Sequence, residues 1–202
     1  MSNDFYKEKL KNIFTDGKTI IDIGGGLRIL KDRGNWFSKN NAWIEPLLKN
    51  VEYKIMDPMD TYNPDIVGDI HKMPFTNESQ DAIVCLSVLE HVEDPIRAAQ
   101  ELYRVLKPGG QLFVYVPFLY YYHAEKGYYG DFWRFTEDSL RVMFKNFSQF
   151  EIRRARGAIE TWLKLSPLGR FNIALLFSRL LDKITGKDKS NQTSGFYVFL
   201  VK

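Results

Sequence analysis

The fold of this chain is decided by the stretch Thr19-Ile20-Ile21-Asp22-Ile23-Gly24-Gly25-Gly26. Its apolar residues predict a buried strand, and its three glycines predict an exit turn without Cβ atoms, which a ligand can approach closely. Asp22 brings a carboxylate to that turn at the carboxyl end of the strand. Open α/β sheets bind nucleotide-like ligands at such strand ends. We therefore expect a nucleotide-like ligand at this turn.

Apolar periodicity in the rest of the chain predicts strands that alternate with helices. Helices are expected at 5–14, after the capping residue Asp94 and from about Thr136. The helix after Asp94 should end at the turn 107–110, which contains a proline and two glycines. The predicted strands cover 19–22, 51–57, 66–67, 81–86, 111–116, 150–154 and 196–201. This alternation indicates an α/β domain with a mainly parallel sheet, although the stretch 27–50 gives only a weak helix signal.

Residues 157–194 form a helical, basic insertion between the last two predicted strands. Its helix is capped by Ser166 and should end before Gly186. Between Arg153 and Lys189 the chain carries nine basic and three acidic residues. Three interpretations remain open: a lid over the substrate site, a homodimer contact, or peripheral contact of residues 166–189 with an anionic membrane or a lipid-linked substrate.

Composition narrows the class of protein. The length of 202 residues suits one domain, and the net charge of +3 is too small to argue for a nucleic-acid partner. Residues 1–11 lack an apolar signal core, and the longest apolar runs are too short to cross a bilayer. Cys85 lies in an apolar run, which indicates a reduced structural thiol. We expect a cytoplasmic protein without a metal site, because its three histidines show no paired spacing.

The glycine spacing argues against two phosphate-binding motifs. In the dinucleotide pattern G-x-G-x-x-G that begins at Gly24, the third glycine position falls on Ile29, whose side chain blocks close helix packing. No Gly-Lys-Ser/Thr follows, as a phosphate loop requires. The remaining signal for a ligand site is the glycine turn together with acids at later strand ends. Asp57 can accept hydrogen bonds from a ribose diol, and Asp69 can accept one from an exocyclic amine. Either acid alone could be an ordinary turn residue, but the ordered set favours a ligand site.

At these residues the sequence resembles the class I S-adenosylmethionine-dependent methyltransferases, specifically the type 11 group, over roughly 20–147. The resemblance implies a Rossmann-like α/β fold over 1–202, a single methyltransferase-like domain whose seven-stranded, mostly parallel sheet has one antiparallel strand and helices on both faces. Arg28 and the long gap before the second strand depart from the family pattern. The motifs that carry the resemblance are Asp22-Ile23-Gly24-Gly25-Gly26, Asp57, Gly68-Asp69-Ile70, Met73-Pro74-Phe75, Asp81-Ala82-Ile83-Val84, Leu89-Glu90-His91-Val92 and Arg104-Val105-Leu106-Lys107-Pro108-Gly109-Gly110.

The resemblance also implies roles for residues around S-adenosylmethionine, which would leave as S-adenosylhomocysteine. Asp57 would hold the ribose hydroxyls, and Asp69 with Ile70 would hold the adenine. The glycine turn would receive the methionine part, with Asp22 near its amino group and Ser87 facing the methionine end. Acids rather than arginines suit this cofactor because its sulfonium and ammonium groups are positive. The implied cofactor-binding residues are Asp22, Gly24, Gly25, Gly26, Asp57, Asp69, Ile70, Ser87 and His91.

A later stretch resembles methyltransferase-like proteins linked to bacterial surface-polysaccharide pathways. It reads Pro117-Phe118-Leu119-Tyr120-Tyr121-Tyr122-His123, followed by Asp131-Phe132-Trp133-Arg134-Phe135-Thr136. His123 is the first candidate for a general base, with Asp131 as its partner or an alternative base, Arg134 as a substrate anchor and His91 as the second candidate. The alternative is that these groups only fix the loop by hydrogen bonds, which is the favoured interpretation for His91.

The predicted function is methyl transfer to a small-molecule or sugar-like (glycan) acceptor, at oxygen. Two alternatives stay open. One is a nicotinamide-dependent oxidoreductase, which the missing third glycine of the dinucleotide pattern disfavours. The other is a module that keeps the methyltransferase fold for binding or assembly without catalysis. The acids and the polar loop that follows the fifth strand argue against a degenerate module.

Overall fold

A computed structural model describes residues 2–15, 18–32 and 37–202. Within these residues seven strands form one sheet of order β3-β2-β1-β4-β5-β7-β6. β7 runs antiparallel to both of its neighbours, and the other pairs are parallel. The predicted fold class is thereby confirmed. The strands are β1 Thr19–Ile23, β2 Glu52–Asp57, β3 Ile66–Val67, β4 Gln80–Leu86, β5 Leu106–Pro117, β6 Gln149–Arg154 and β7 Gly195–Val201.

Helices cover both faces of the sheet. Phe5 and Leu10 of α1 belong to an apolar core that includes Phe113 of β5. Ala98 and Leu102 of α2 belong to a second core. Alternate residues of β1, β4 and β5 enter opposite cores, as expected for strands that are buried on both sides. The α-helices are α1 Ser2–Ile13, α2 Pro95–Val105, α3 Glu137–Met143, α4 Ala158–Leu165 and α5 Asn172–Thr185, and the longest 3₁₀ segment is Lys39–Asn50.

The weak helix signal in 27–50 corresponds to the 3₁₀ segment Lys39–Asn50, while residues 33–36 of that stretch lie outside the described residues. The predicted cap of α2 is confirmed, since the Asp94 side chain accepts a hydrogen bond from the backbone N–H of Arg97. The predicted turn at 107–110 is instead a bulge within β5. Its residues are extra on that strand, because Gln80 and Ala82 of β4 pair with Leu106 and Gln111.

The insertion between β6 and β7 differs from its prediction as a single helix. The expected helix is divided into a 3₁₀ turn, Pro167–Arg170, and α5, because Phe171 between them is extended. Gly186 ends α5 in the left-handed conformation, as predicted. α4 is an additional helix that the sequence pattern does not predict. The Asp182 carboxylate of α5 accepts the backbone N–H groups of Ile159 and Glu160, so the cap of α4 comes from 22 and 23 residues away.

Candidate active site

A cavity of about 1690 Å³ opens where β1, β2, β4 and β5 end. The glycine turn after β1 forms part of its wall, through Gly24 and Gly26. Gly24 has φ +74, and a Cβ there would stand 2.8 Å from Cγ2 of Val88. A Cβ on Gly26 would stand 2.8 Å from the carbonyl oxygen of Leu86. Side chains at these positions would therefore collide with the end of β4 and with Val88 of the loop that follows, which explains why glycines occur here.

Asp22 supports this turn from behind. Its side chain is fully buried, and Oδ2 accepts hydrogen bonds from the backbone N–H of Leu27 and from the hydroxyl of Tyr53. Burial raises the pKa of Asp22 to about 7, against the lowering effect of these donors. Oδ1 has no hydrogen-bond partner among the described residues. Asp22 does not belong to the described cavity lining, so the side chain predicted beside a cofactor amino group faces the turn instead.

Two other acids predicted for the cofactor site do line the cavity. Asp57, at the end of β2, is half-buried, and its Oδ1 accepts the backbone N–H of Met59. Partial burial raises the pKa of Asp57. Asp69 is more exposed; the backbone N–H of His71 and the ring of His71 bond its Oδ1 and lower the pKa of Asp69. The structure therefore places both carboxylates at one cavity, at the ends of adjacent strands.

Ile70 and Ser87 are two further predicted cofactor residues that lie on the cavity wall. Ile70 is buried and offers an apolar surface next to Asp69. Ser87 directly follows β4 and has φ +56, a left-handed conformation that is uncommon for residues other than glycine. Its backbone N–H bonds the carbonyl oxygen of Tyr115 in β5, which holds this bend at the strand end. Arg28, which departs from the family pattern, also lines the cavity and has φ +52.

His91 and His123 meet at the same cavity although they are 32 positions apart in the sequence. Their ring centroids are 4.7 Å apart, at an interplanar angle of 78°. Nδ1 of His91 lies 2.6 Å from the carbonyl oxygen of Gly130, and Nδ1 of His123 lies 2.9 Å from that of Tyr121. Since a carbonyl can only accept, each Nδ1 carries the proton, and each Nε2 has a free lone pair in the neutral ring.

Glu90 is the site residue that sequence reasoning missed. In the sequence it stands out only as part of a motif, yet its side chain is 1% exposed and Oε1 lies 3.7 Å from Nε2 of His123 and 3.9 Å from Nε2 of His91. Neither carboxylate oxygen has a hydrogen-bond partner in the part of the chain that the structure describes. The nearby carboxylate raises the pKa of His123, and desolvation of the ring opposes this increase. An acid directly before His91 was the available signal, but its burial depends on distant residues.

Asp131 and Arg134 hold each other rather than facing the cavity. The guanidinium of Arg134 donates to Oδ1 and Oδ2 of Asp131 over 2.6 and 2.7 Å, and the backbone N–H of His123 donates to Oδ2 over 2.8 Å. The Arg134 bonds lower the pKa of Asp131 to about 2. Neither residue belongs to the described cavity lining. The predicted roles as an alternative base and a substrate anchor do not match these contacts, because each charge is already paired.

Comparison with known sequences supports this fold. Residues 47–114 match a family model described as "Methyltransferase domain". The ubiquinone biosynthesis O-methyltransferase of Pseudomonas entomophila (strain L48) is 32% identical over 103 residues, which cover 48% of this chain and 43% of that protein. The protein of the same name from Paracidovorax citrulli (strain AAC00-1) is 29% identical over 101 residues, with 48% and 42% covered. The chain therefore spans less than half the length of these curated relatives.

Solved structures resemble nearly the whole chain. A SAM-dependent methyltransferase from Archaeoglobus fulgidus has a TM-score of 0.60 at 12% identity, covering 99% of this chain and 94% of that one. A putative methyltransferase, solved in complex with the Haloferax volcanii Trm112 methyltransferase activator, has a TM-score of 0.57 at 16% identity, covering 98% and 91%. Such identities establish likeness of fold alone.

The seven-stranded fold is similar to that of solved S-adenosylmethionine-dependent methyltransferases. Residues 47–114, about a third of the chain, match the model of the methyltransferase domain family. The predicted resemblance is confirmed at this level.

None of the helices in the described part of the chain has the length and hydrophobicity that a membrane span requires.

Proposed function

We propose that this chain transfers a methyl group from S-adenosylmethionine to a hydroxyl of a small-molecule or sugar-like acceptor. The observation that carries the proposal is one cavity that joins a glycine turn, the carboxylate of Asp57 and the histidine pair His91 and His123. The first two suit a nucleoside with a positive methionine tail, and the histidines suit proton transfer from a hydroxyl. The match of residues 47–114 to the methyltransferase domain supports the same activity.

The residues present fit the proposed cofactor. Because a Cβ does not fit at Gly24 or Gly26, the turn offers backbone atoms rather than side chains to the methionine part. Oδ2 of Asp57 makes no hydrogen bond to the described residues and would be free to accept a ribose hydroxyl. Ile70 would contact the adenine and Asp69 its amine.

The mechanism needs orientation and one proton acceptor. When bound, the cofactor supplies an electrophilic methyl group on sulfur. The cavity walls would hold the acceptor hydroxyl in line with that group, which accounts for much of the rate enhancement in displacements of this kind. Nε2 of His123 would take the hydroxyl proton while the new C–O bond forms and the C–S bond breaks. Asp131 and Arg134 act in this scheme as positioning residues, since they fix the backbone of His123.

Aromatic side chains around the histidines indicate the kind of acceptor. Tyr120, Tyr128 and Tyr129 line the cavity and are each about 40% exposed. Such rings can stack on a sugar or on a phenol while their hydroxyls bond it. The resemblance of the 117–136 loop to proteins of polysaccharide pathways supports a sugar, and the names of the curated relatives support methylation at oxygen. Nucleotide sugars, lipid-linked glycans and polyphenols are therefore the acceptors to screen for methyl uptake.

The insertion has an apolar surface that the described part of the chain leaves uncovered. Ile173 and Ile184 of α5 are 73% and 72% exposed, and Trp162 of α4 is 67% exposed. A lid that packed on this chain would bury such side chains, so an external partner fits better. The basic surplus between Arg153 and Lys189 favours anionic lipid as that partner. We therefore propose that the insertion is part of the single domain and that residues 166–189 make peripheral contact with a membrane.

Calorimetric titration tests the cofactor assignment. S-adenosylmethionine and S-adenosylhomocysteine should bind with roughly micromolar affinity, about −8 kcal/mol, and NADH should not bind. Asp57→Ala should weaken S-adenosylhomocysteine binding by roughly tenfold or more, because the ribose loses its acceptor. Asp60→Ala is the matched control: Asp60 is exposed nearby and does not belong to the described cavity lining, so affinity should stay unchanged. Equal affinities of the two variants would remove the ribose assignment.

The two alternative functions give different results in the same assays. A nicotinamide oxidoreductase would bind NADH and not the sulfonium nucleoside. A non-catalytic module would bind S-adenosylmethionine but transfer no methyl group to any acceptor in the screen. Methyl uptake that depends on His123 would separate the proposed enzyme from both.

A further inference from the structure

We infer that Glu90, His91 and His123 form a binding site for a divalent transition-metal ion, of the kind that prefers two imidazoles and one carboxylate. The three side chains each offer one ligand atom, and these atoms all lie within 4.8 Å of one another. The spacing of the histidines in the sequence predicts no metal site. The fold removes that argument, because it brings two of the rings together over a buried acid.

The histidine rings are already oriented as metal ligands. Each Nδ1 donates to a backbone carbonyl, that of Gly130 for His91 and that of Tyr121 for His123. Metal-binding histidines typically donate their second ring nitrogen to a carbonyl or carboxylate, which fixes the tautomer and the ring plane. The consequence here is that both Nε2 lone pairs converge on Glu90, at 3.9 and 3.7 Å from its Oε1.

The Glu90 carboxylate is an independent sign that a cation is needed. It is buried, and neither oxygen makes a hydrogen bond to the residues that the structure describes. The distances to the histidine nitrogens, 3.7 and 3.9 Å, are too long for hydrogen bonds. Arg134 is a nearby cation, but its guanidinium is bound to Asp131. A buried carboxylate without a partner costs several kcal/mol, and a bound cation would offset that cost.

The distances suit one ion between the three ligands. Zinc binds imidazole nitrogen and carboxylate oxygen at about 2.0–2.2 Å, so neighbouring ligand atoms of a tetrahedral ion stand roughly 3.4 Å apart. The separations of 3.7 and 3.9 Å from Glu90 exceed this by a few tenths of an ångström, and the third pair of ligand atoms lies within 4.8 Å. Small rotations of the partly exposed His123 ring could close that gap. Two nitrogens and one oxygen match Zn²⁺ and its divalent neighbours rather than Mg²⁺ or Ca²⁺, which prefer oxygen alone.

The position of the site suggests what the ion does. All three residues line the cavity that also contains Gly24 and Asp57, so further coordination positions would face the cavity. An ion there would bind the acceptor's hydroxyl oxygen and lower the pKa of that hydroxyl. In that state His123 is a ligand, and the hydroxyl proton leaves to water when the new C–O bond forms. Only this role of the ion rests on the proposed methyl transfer; the binding of the ion does not.

Titration of the chelator-treated, full-length chain with Co²⁺ tests the site without any methyl acceptor. We expect saturable binding of one ion per chain, with visible absorption bands typical of nitrogen and oxygen ligands, and competition by Zn²⁺. Glu90→Gln and His123→Ala should each weaken binding by roughly tenfold or more. His71→Ala is the matched control, because His71 is the third histidine of the sequence and lies outside the cluster. It should bind Co²⁺ like the wild type.

Circular dichroism identifies any variant that fails to fold. If Glu90→Gln or His123→Ala does so, Co²⁺ binding by the other of these two variants tests the site. Absence of saturable Co²⁺ binding by the wild type would overturn the site, as would binding that survives both Glu90→Gln and His123→Ala. Co²⁺ binding without methyl transfer would keep the site and contradict the proposed function. Methyl transfer by a chain that binds no Co²⁺ would contradict the metal site and keep the proposed function.

Discussion

Gly24→Ala tests whether the glycine turn is as tightly packed as the structure indicates. Gly24 has φ +74, and alanine in the left-handed region costs roughly 1–2 kcal/mol. The new Cβ would also stand 2.8 Å from Cγ2 of Val88, whereas carbon atoms in contact prefer about 3.5–4.0 Å. Such overpacking typically costs a further ~1–3 kcal/mol. We therefore expect the free energy of unfolding to fall by roughly 2–5 kcal/mol.

Gly109→Ala separates the two contributions. Gly109 has φ +76, but beyond its chain neighbours no described atom lies within 4 Å of the place that a Cβ would take, so alanine there meets only the backbone cost. It lies in the bulge near the start of β5, at the opposite end of the strand from the cavity. Urea unfolding should show a loss of roughly 1 kcal/mol for Gly109→Ala, smaller than that for Gly24→Ala by the overpacking cost. Calorimetry should show weakened S-adenosylhomocysteine binding for Gly24→Ala alone.

Val88→Ala completes a double-mutant cycle. Removal of Cγ2 should recover part of the stability lost in Gly24→Ala, which gives a coupling free energy of about 1 kcal/mol or more between the two positions. The reasoning would be refuted by equal unfolding free energies for Gly24→Ala and Gly109→Ala, or by a coupling free energy near zero.

The buried acid, the histidine loop and the insertion each offer a further test. The pKa of Asp22 is raised to about 7 in the folded chain, so the folded state keeps a proton that the unfolded state loses near pH 4. The free energy of unfolding should therefore fall as pH rises, by about 3 kcal/mol from roughly pH 5 to 8. Urea unfolding of Asp22→Asn should lack this pH-dependent component. His123→Ala should lower methyl transfer roughly 100-fold or more while S-adenosylhomocysteine affinity stays nearly intact; lost affinity would mean that the loop only supports the cavity. The chain should sediment with phosphatidylglycerol vesicles, and Ile173→Ser should weaken this vesicle binding. Val142→Ser is the control, because Val142 is similarly exposed on α3, and it should leave vesicle binding unchanged. A dimer that light scattering detects and that Ile173→Ser disrupts would favour the dimer contact instead.

The sheet could be predicted from the sequence because its signals are local. The strand expected at 66–67 agrees with β3, and the other predicted strands overlap the observed ones with small shifts at their ends, except that β5 begins five residues before the predicted 111–116. The cap at Asp94 and the stop at Gly186 also depend only on neighbouring residues. α4 could not be predicted in the same way, since its capping carboxylate belongs to Asp182 in the following helix. Local patterns therefore led to predicted cofactor residues of which most line the described cavity, but they did not reveal the form of the insertion.

The histidine cluster shows the limit of local patterns most clearly. Glu90 and His91 are adjacent to the end of β4, and their environment comes from residues about 40 positions later in the sequence. The backbone N–H of Phe132 donates to the carbonyl oxygen of Glu90, and His91 bonds the carbonyl of Gly130. These contacts join the loops after β4 and β5 into one unit, in which the Asp131–Arg134 pair fixes His123. A change that keeps the side-chain shape, such as Asp131→Asn, should therefore disturb the site at both histidines, although Asp131 does not belong to the described cavity lining.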